Sequence, residues 1–487
     1  GFKDHDDHAL ILPPEDSREI VQTMSSSGMP ITDCLIKGFQ LQSNHPSGGF
    51  FGPLCVSENF RNLLESHPPY VDPHSALAGG YSVNFMSYRK PHWNPDLAPT
   101  HLMDEIEKYK LLPGIGATQH FCQDLKIGLD LGWGGLLEKI QKYQDMNPDK
   151  TDFYQSLRNI VLGMQNWMSR TATYARQLAE SEENPQLRQN LLDMAAMNEK
   201  LVTEKPESFR EACQWFLWYQ SMARMYNGSG SLGRMDVLLY PFYQQDKEKG
   251  ILTDEEATFD LACLLIRDTA YIQLGGPDEE GKDVTNPLSF LVLEAAHKLK
   301  IPANVGVCVG ENTDPRLLTR GVEILFEDKT GIPKFLGIDR TVEGFVRKGY
   351  PVELARQRAY AGCHWSAIPG REYTLNDCVK INFAAIFEYA YNEMMADESV
   401  EPSIQELWNR FEYHLGKGVE GIAKSLDFHM EHMHEVFPEL VLDLLCYGTI
   451  EKGLDASHGG VEIYNLCIDG AALATVESAL EAAKAAK

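Results

Sequence analysis

Between residues 259 and 340 the chain alternates helical patterns with short apolar runs, and this alternation narrows the possible folds more than any other feature. FDLACLLIRDTAYIQLGG is followed by PLSFLVLEAAHKLK, then NVGVCVGE, RLLTRGVEILFED and KFLGIDR. Short runs rich in Val, Leu and Ile between amphipathic stretches read as repeated β-α units. Such units build an α/β barrel or sheet, not a helical bundle. No internal repeat of fixed period is evident.

On either side the pattern is mainly helical. TDFYQSLRNIVLGMQNWMSRTATYARQLAE, NPQLRQNLLDMAAMNEKLVTEK and SFREACQWFLWYQSMARMY carry apolar residues at i, i+3, i+4 and i+7. Their aromatics and methionines read as core, not as a cofactor box. Long helices return at 379–447, and 459–476 reads as strand-turn-helix. The first 100 residues, rich in Pro, Gly, Ser and His, are expected to hold short helices and long loops wrapped on a larger body.

At 487 residues the chain can bury one large core or several smaller ones. The formal charge of −26 repels nucleic acid and anionic membranes. The 10 cysteines contain no C-x-x-C pair, which suits reduced thiols in a cytoplasm. No apolar run reaches the length of a membrane span, and no signal peptide opens the chain. A soluble cytoplasmic enzyme is the expectation.

Candidate chemistry centres on Ala361-Gly362-Cys363-His364-Trp365-Ser366-Ala367-Ile368-Pro369-Gly370. A cysteine follows glycine directly and a Pro-Gly turn closes the segment, after a helix-like stretch at 351–360 and before an apolar run from Val379. Cys363 is therefore either a small buried residue or a thiol presented on a loop tip to a cavity. The glycine-rich stretch 227–236 lacks the lysine of a phosphate loop and is not G-x-G-x-x-G, so nucleotide binding there is rejected. His5-Asp6-Asp7-His8 reads as a solvated terminus. His429, His432 and His434 do not make an H-E-x-x-H motif; an acidic, histidine-bearing helix face or pocket wall competes with a metal-dependent hydrolase, and no metal ligand is assigned.

Four stretches together resemble the glycyl radical enzymes, the pyruvate formate-lyase-like group that includes polyol and hydroxyproline dehydratases, choline lyase and arylacetate decarboxylases. GSGSLGRMD is similar to the family's S-x-S-x-G-R-x-D loop. GIPKFLGIDRTVEGFVRKGYPVELARQRAYAGC is similar to its approach to the active cysteine, and IPGREYTLND to the segment after it. SHGGVEIYNLCIDGAALATVESALEAAK is similar to its G-G-x-x-Y-N segment. The resemblance spans roughly residues 100–485. It implies a ten-stranded α/β barrel of two five-stranded halves surrounded by helices, usually dimeric. A single domain is expected over 1–487, with 1–100 as a wrapping segment and 101–487 as the barrel core.

By that resemblance Cys363 is the thiyl residue that abstracts hydrogen from substrate. Gly362 stands where pyruvate formate-lyase itself has a second cysteine, which argues against acyl transfer. Asp377, His120, Ser229, Trp365 and Tyr464 fall on substrate-binding positions. HFCQD fits the family's H-x-x-P-D motif, with Gln123 replacing proline. Two departures stand out. Trp365 occupies the place of a glutamate that moves protons in the dehydratases, so His364 is the substitute, or it points outward and Trp365 shapes a pocket. The family's R-V-x-G-Y-like motif, which carries the radical glycine, is not found. The radical is then expected from a missing domain or a separate glycine-bearing partner, installed by an S-adenosylmethionine-dependent iron–sulfur activating enzyme; the chain itself is expected to bind no cofactor. The expected activity is a lyase acting on a small polar metabolite, dehydratase-like first. The alternatives are a decarboxylase or bond-forming relative, and a non-catalytic barrel.

Overall fold

The computed structural model describes residues 2–3, 9–10, 14–24, 30–117, 121–227, 230–268, 270–301, 303–362, 365–375 and 378–485. The expected β-α alternation is present. Strands Ser231–Gly233, Tyr271–Leu274, Val305–Val309 and Lys334–Gly337 lie side by side in that order, all parallel. Helices occupy every crossover: Met235–Glu248 and Asp254–Arg267, then Pro287–Leu299, then Pro315–Asp328.

Local sequence sets where those helices begin. Thr253 and Glu256 form a reciprocal capping box, and Asp254 and Glu255 add negative charge to the first turn. Asn286 and Asp314 accept from backbone N–H groups two residues on, each followed by a proline whose fixed φ suits the first helical position.

Period-two alternation divides the four strands into two faces. Leu232, Ile272, Leu274, Val305 and Val307 are fully buried in the main core, against the helices. Ser231, Tyr271, Gln273, Gly306, Cys308 and Lys334 fall on the opposite face. That inner face carries polar groups, and the candidate site is built against it.

The helical layer is organised on Phe209–Asn227, which is buried on nearly every side. Trp215 stacks on Trp133 at 5.3 Å between ring centroids, and Trp218 meets Trp167 edge-on at 5.0 Å. The Trp218 Nε1–H donates to Asn198 Oδ1. The 31-residue helix Thr151–Ser181 packs against Pro53–Ser66 and Pro185–Leu201.

Residues before 100 do more than wrap the surface. Phe50, Phe60 and Phe85 are at most 2% exposed and join Tyr226 and Phe437 in one aromatic cluster. The low-periodicity stretch hid this, because single aromatics between prolines and glycines have no helical or strand period. Strands Arg18–Met24 and Pro30–Ile36 form an antiparallel hairpin ahead of it.

A second core lies under the C-terminal half. Val379–Asn382 pairs in parallel with Asp469–Ala471 and antiparallel with Leu112–Pro113, and Glu372–Tyr373 pairs in parallel with Ile463–Tyr464. Helices Phe383–Ala396 and Ile404–Val436 cover these strands. Among the described residues these ladders are separate, so a closed ring of ten is not traced. No helix among the described residues is long and apolar enough to cross a membrane.

Candidate active site

The segment singled out in the sequence is a β-hairpin. Ala359 pairs with Ala367 and Tyr360 with Ser366, and the Ala361 N–H donates to the Trp365 carbonyl at 3.0 Å. Cys363 and His364, between Ala361 and Trp365 in the sequence, lie outside the described residues. Small side chains let this hairpin pack tightly: Cys122, Ala359, Ala361 and Ala367 form a cluster of their own.

The hairpin is fastened to the inner face of the parallel strands. Ser231 Oγ–H donates to the Tyr360 carbonyl at 2.6 Å, and the Tyr360 N–H donates to Gln273 Oε1 at 3.0 Å. Gln123 donates from Nε2 to the Ser231 carbonyl at 2.8 Å. A proline at position 123 could not make that bond, so the departure from the family motif has a structural role.

The direction of entry follows from three contacts. Arg356 and Gln357 bind Glu279, which lies beyond the C-terminal end of the Tyr271–Leu274 strand. Tyr360 then meets Gln273 within that strand, and its ring packs edge-on against Tyr271, the first residue, at 5.0 Å. The end of the hairpin at Ala361 and Trp365 therefore lies toward the N-terminal ends of the parallel strands. Ser231, Tyr271 and Lys334 begin three of those strands, and Asn304 immediately precedes the fourth.

The hairpin's base is held by a buried ion pair. Arg358 Nη2 lies 3.0 Å from Glu372 Oε1 with both side chains fully buried. Arg358 also donates to the Ser366 carbonyl and Oγ, its guanidinium lies 3.6 Å from the Phe345 ring centroid, and Glu372 Oε2 accepts from the Ile368 N–H. The Pro-Gly turn is fixed at Gly370, whose φ of +67° is a left-handed conformation. Its N–H donates to the Cys122 carbonyl and its carbonyl accepts from Tyr447 N–H.

The remaining expectations divide as follows. Asp377, His120 and Ser229 lie outside the described residues. Trp365 is partly buried, and its indole folds over Gly362, where an added Cβ would stand 2.6 Å from Trp365 Cδ1. Tyr464 is 40% exposed on the strand beside Glu372–Tyr373, and its hydroxyl accepts from the Gly459 N–H at 2.6 Å. Asp124 caps the Leu125–Met146 helix and accepts from Tyr447 OH at 2.7 Å, a structural role.

The three histidines of the His429 cluster take separate partners. His429 Nδ1 accepts from the Gly116 N–H at 3.1 Å, which leaves Nε2–H to face the Tyr373 hydroxyl at 3.0 Å. Burial pushes its pKa down to about 3, so the ring is neutral. His434 stacks on His458 instead, and no three described His, Cys, Asp or Glu side chains converge as metal ligands. Thiols lining the core are protonated: burial pushes Cys122 and Cys308 up to about 12.

Sequence reasoning missed Gln273, Lys334, Asn304 and the Arg358–Glu372 pair. Strand alternation in KFLG carried the signal for Lys334, since Phe335 is the apolar neighbour that must face the helices. Nothing local marks Gln273 or Asn304.

Comparison with known proteins bears on the family and the fold. Residues 105–487 match the family described as pyruvate formate lyase-like. The (2S)-3-sulfopropanediol dehydratase of Klebsiella oxytoca is 26% identical over 408 residues, covering 75% of this chain and 49% of that protein. The trans-4-hydroxy-L-proline dehydratase of Clostridioides difficile is 27% identical over 367 residues, 67% of this chain and 45% of that protein. The chain thus spans about half the length of these curated relatives. Among solved structures, one concerned with 1,2-propanediol dehydration in Roseburia inulinivorans superposes with a TM-score of 0.78 at 20% identity, covering 91% of this chain and 66% of that one. A glycyl radical enzyme from Archaeoglobus fulgidus gives 0.78 at 22%, covering 92% and 68%. The shared fold is an α/β barrel, and the chain belongs to the pyruvate formate lyase-like family.

Proposed function

We propose that this chain is the catalytic barrel of a glycyl radical lyase that acts on a small polar metabolite by dehydratase-like elimination. The observation that carries the reading is the hairpin inserted against the barrel's inner face, its turn closed by Ala361 and Trp365 and its strand tied to Ser231 and Gln273. Relatives named as dehydratases and as an isethionate sulfite-lyase support the reaction class.

A glycyl radical on a glycine-bearing domain or partner, installed by an activating enzyme, supplies the stored oxidising equivalent. The Cys363 thiyl then takes a hydrogen atom from a substrate C–H bond, forming S–H and leaving a carbon radical. Asp377 and His120 hold the substrate hydroxyls, and Ser229 orients the chain beside them. The leaving hydroxyl departs as water with a proton delivered by His364, while the hydroxyl on the radical carbon gives its proton to Asp377 and becomes a carbonyl; return of that proton from Asp377 to His364 resets both groups. The product radical regains hydrogen from the Cys363 thiol, which closes the cycle with electrons balanced. Enclosure within a barrel keeps water and oxygen from these steps.

A second reading, decarboxylation or addition, is favoured by Trp365 standing where the dehydratases have a proton-moving glutamate. The test is anaerobic activation with a radical-generating activating enzyme and a glycine-bearing domain, followed by electron paramagnetic resonance and product analysis. Cys363→Ala should keep the radical signal and lose turnover. Turnover that survives in Cys363→Ala overturns the assignment.

A further inference from the structure

Among the described residues, Lys334 is a cation on the inner face of the barrel that the proposed reaction does not use. Lys334 begins its strand, and its neighbour Phe335 packs toward the helices beside Gly321, so the lysine points inward. Its Nζ donates to Asn304 Oδ1 at 2.7 Å and to the Tyr360 hydroxyl at 3.2 Å. An ammonium has three N–H donors. The third has no partner among the described residues, and no described carboxylate lies within ion-pair reach.

The chain carries 70 acidic residues against 44 basic ones, yet this inward-facing cation is met by an amide oxygen and a phenol. Lys334 sits between aromatic faces, its Nζ 5.6 Å from the Tyr271 ring centroid and 5.9 Å from that of Tyr360. Both rings favour a cation, and neither neutralises it. A second polar group on the same inner face is also incomplete. Gln273 is 2% exposed and gives its Oε1 to Tyr360, yet its Nε2 has no partner among the described residues. A buried, unpaired donor is costly unless something arrives to meet it.

We infer that Lys334, set by Asn304 and Tyr360, is the recognition site for an oxyanion group (carboxylate, sulfonate or phosphate) on the substrate. Tyr360 ties the site to the chemistry. The residue that holds the lysine is three positions from Cys363 and belongs to the hairpin that carries it. An anion on Lys334 is thereby placed at the same end of the parallel strands as the turn. The field of the whole molecule repels anions, so such a substrate requires a local positive charge to enter. A compact ammonium acts there as a point charge that selects charge before shape.

This inference rests on reading the barrel interior as the substrate cavity, but it does not depend on radical chemistry. Its test is therefore binding to the full chain without activation. Ligand-observed NMR titrations at fixed ionic strength would compare propionate and ethanesulfonate with their neutral counterparts, propionamide and ethanesulfonamide. The unmodified chain should bind at least one anion about tenfold or more tightly than its neutral partner. The anion preferred identifies the group. Lys334→Met should remove that preference and Lys334→Arg should keep most of it. Asn304→Asp sets a carboxylate against Nζ without removing the lysine, and should remove the preference as well, which covers the case where Lys334→Met fails to fold. Cys363→Ala should bind anions as the unmodified chain does. Equal binding of anion and amide, or an unchanged preference in both Lys334→Met and Asn304→Asp, overturns the site. No turnover by the unmodified chain after activation, with its anion preference intact, counts against the radical reading alone.

Discussion

Arg358 and Glu372 meet at 3.0 Å with no solvent on either side chain, and the cysteine-bearing turn lies between them in the chain. The pair joins the strand that enters the barrel to the segment that leaves it. Two charges in an apolar interior are each expensive to bury, and the pair holds only because each neutralises the other and takes further hydrogen bonds. Glu372→Ala leaves the guanidinium uncompensated and should cost about 3–5 kcal/mol in denaturant unfolding. Arg358→Met combined with Glu372→Leu should cost less than Glu372→Ala alone. A double variant that is additive would show the pair is not coupled.

Gly362 is required by its neighbour and not by its backbone angle. A Cβ there would stand 2.6 Å from Trp365 Cδ1, well inside ordinary contact. Gly362→Ala should therefore destabilise by about 1–3 kcal/mol, the usual cost of overpacking, measured by thermal melting. Adding Trp365→Leu should return most of that loss. A cysteine at 362 meets the same obstacle, which supports the reading that acyl transfer through a second thiol is not this chain's chemistry.

Gly128 tests the helical core in the same way. A Cβ there would fall 1.8 Å from Trp215 Cη2, inside the stack of Trp133, Trp215 and Tyr219. Alanine improves helix propensity by roughly 1 kcal/mol over glycine, so a solvent-facing site would gain stability. Here the clash should reverse the sign, and unfolding should show a net loss of about 1–3 kcal/mol. Any gain would mean the tryptophan stack is looser than it stands.

Much of the barrel was legible because its signals are local. Leu232, Ile272, Val305 and Val307 announce buried strands by type, and the intervening helices carry caps such as Thr253 and Asn286 that sequence alone reveals. The tight loop was legible from Gly362, Pro369 and Gly370, but its hairpin form was not: the helix-like stretch at 351–360 is helical only over Val352–Arg356, and Ala359–Tyr360 is a strand. What stayed hidden depends on contacts between residues far apart in the chain. Gln273 acquires meaning only through the Tyr360 N–H, and Lys334 only through Asn304 and Tyr360. His429 shows the reverse: three nearby histidines left a helix face, a pocket wall and a metal all open, and the fold turns His429 toward Gly116 and Tyr373, and His434 toward His458.

Buried titratable groups make stability depend on pH in two opposed ways. Asp260 is 6% exposed, and loss of hydration pushes its pKa up to about 7, only partly offset by the Arg210 charge. Burial likewise lifts Asp236 to about 6. Between its ordinary value and the raised one, the native carboxyl keeps a proton that the unfolded chain has lost. Its contribution is therefore complete below the unfolded pKa near 4 and fades as pH rises through about 7. His67 works in the opposite sense. Burial lowers it to about 3, so the native ring stays neutral while the unfolded ring protonates, and its contribution is complete above pH ~6.5 and lost on acidification. The two are separated by measuring each variant against the unmodified chain across pH 4–8. The stability difference between the unmodified chain and Asp260→Asn should shrink by roughly 2–4 kcal/mol from pH 4 to 7, at up to ~1.4 kcal/mol per pH unit. The difference from His67→Gln should grow over the same range and level off above pH ~6.5. A difference from Asp260→Asn that stays flat would mean the carboxyl is ionised in the folded protein, and that water or Arg210 reaches it.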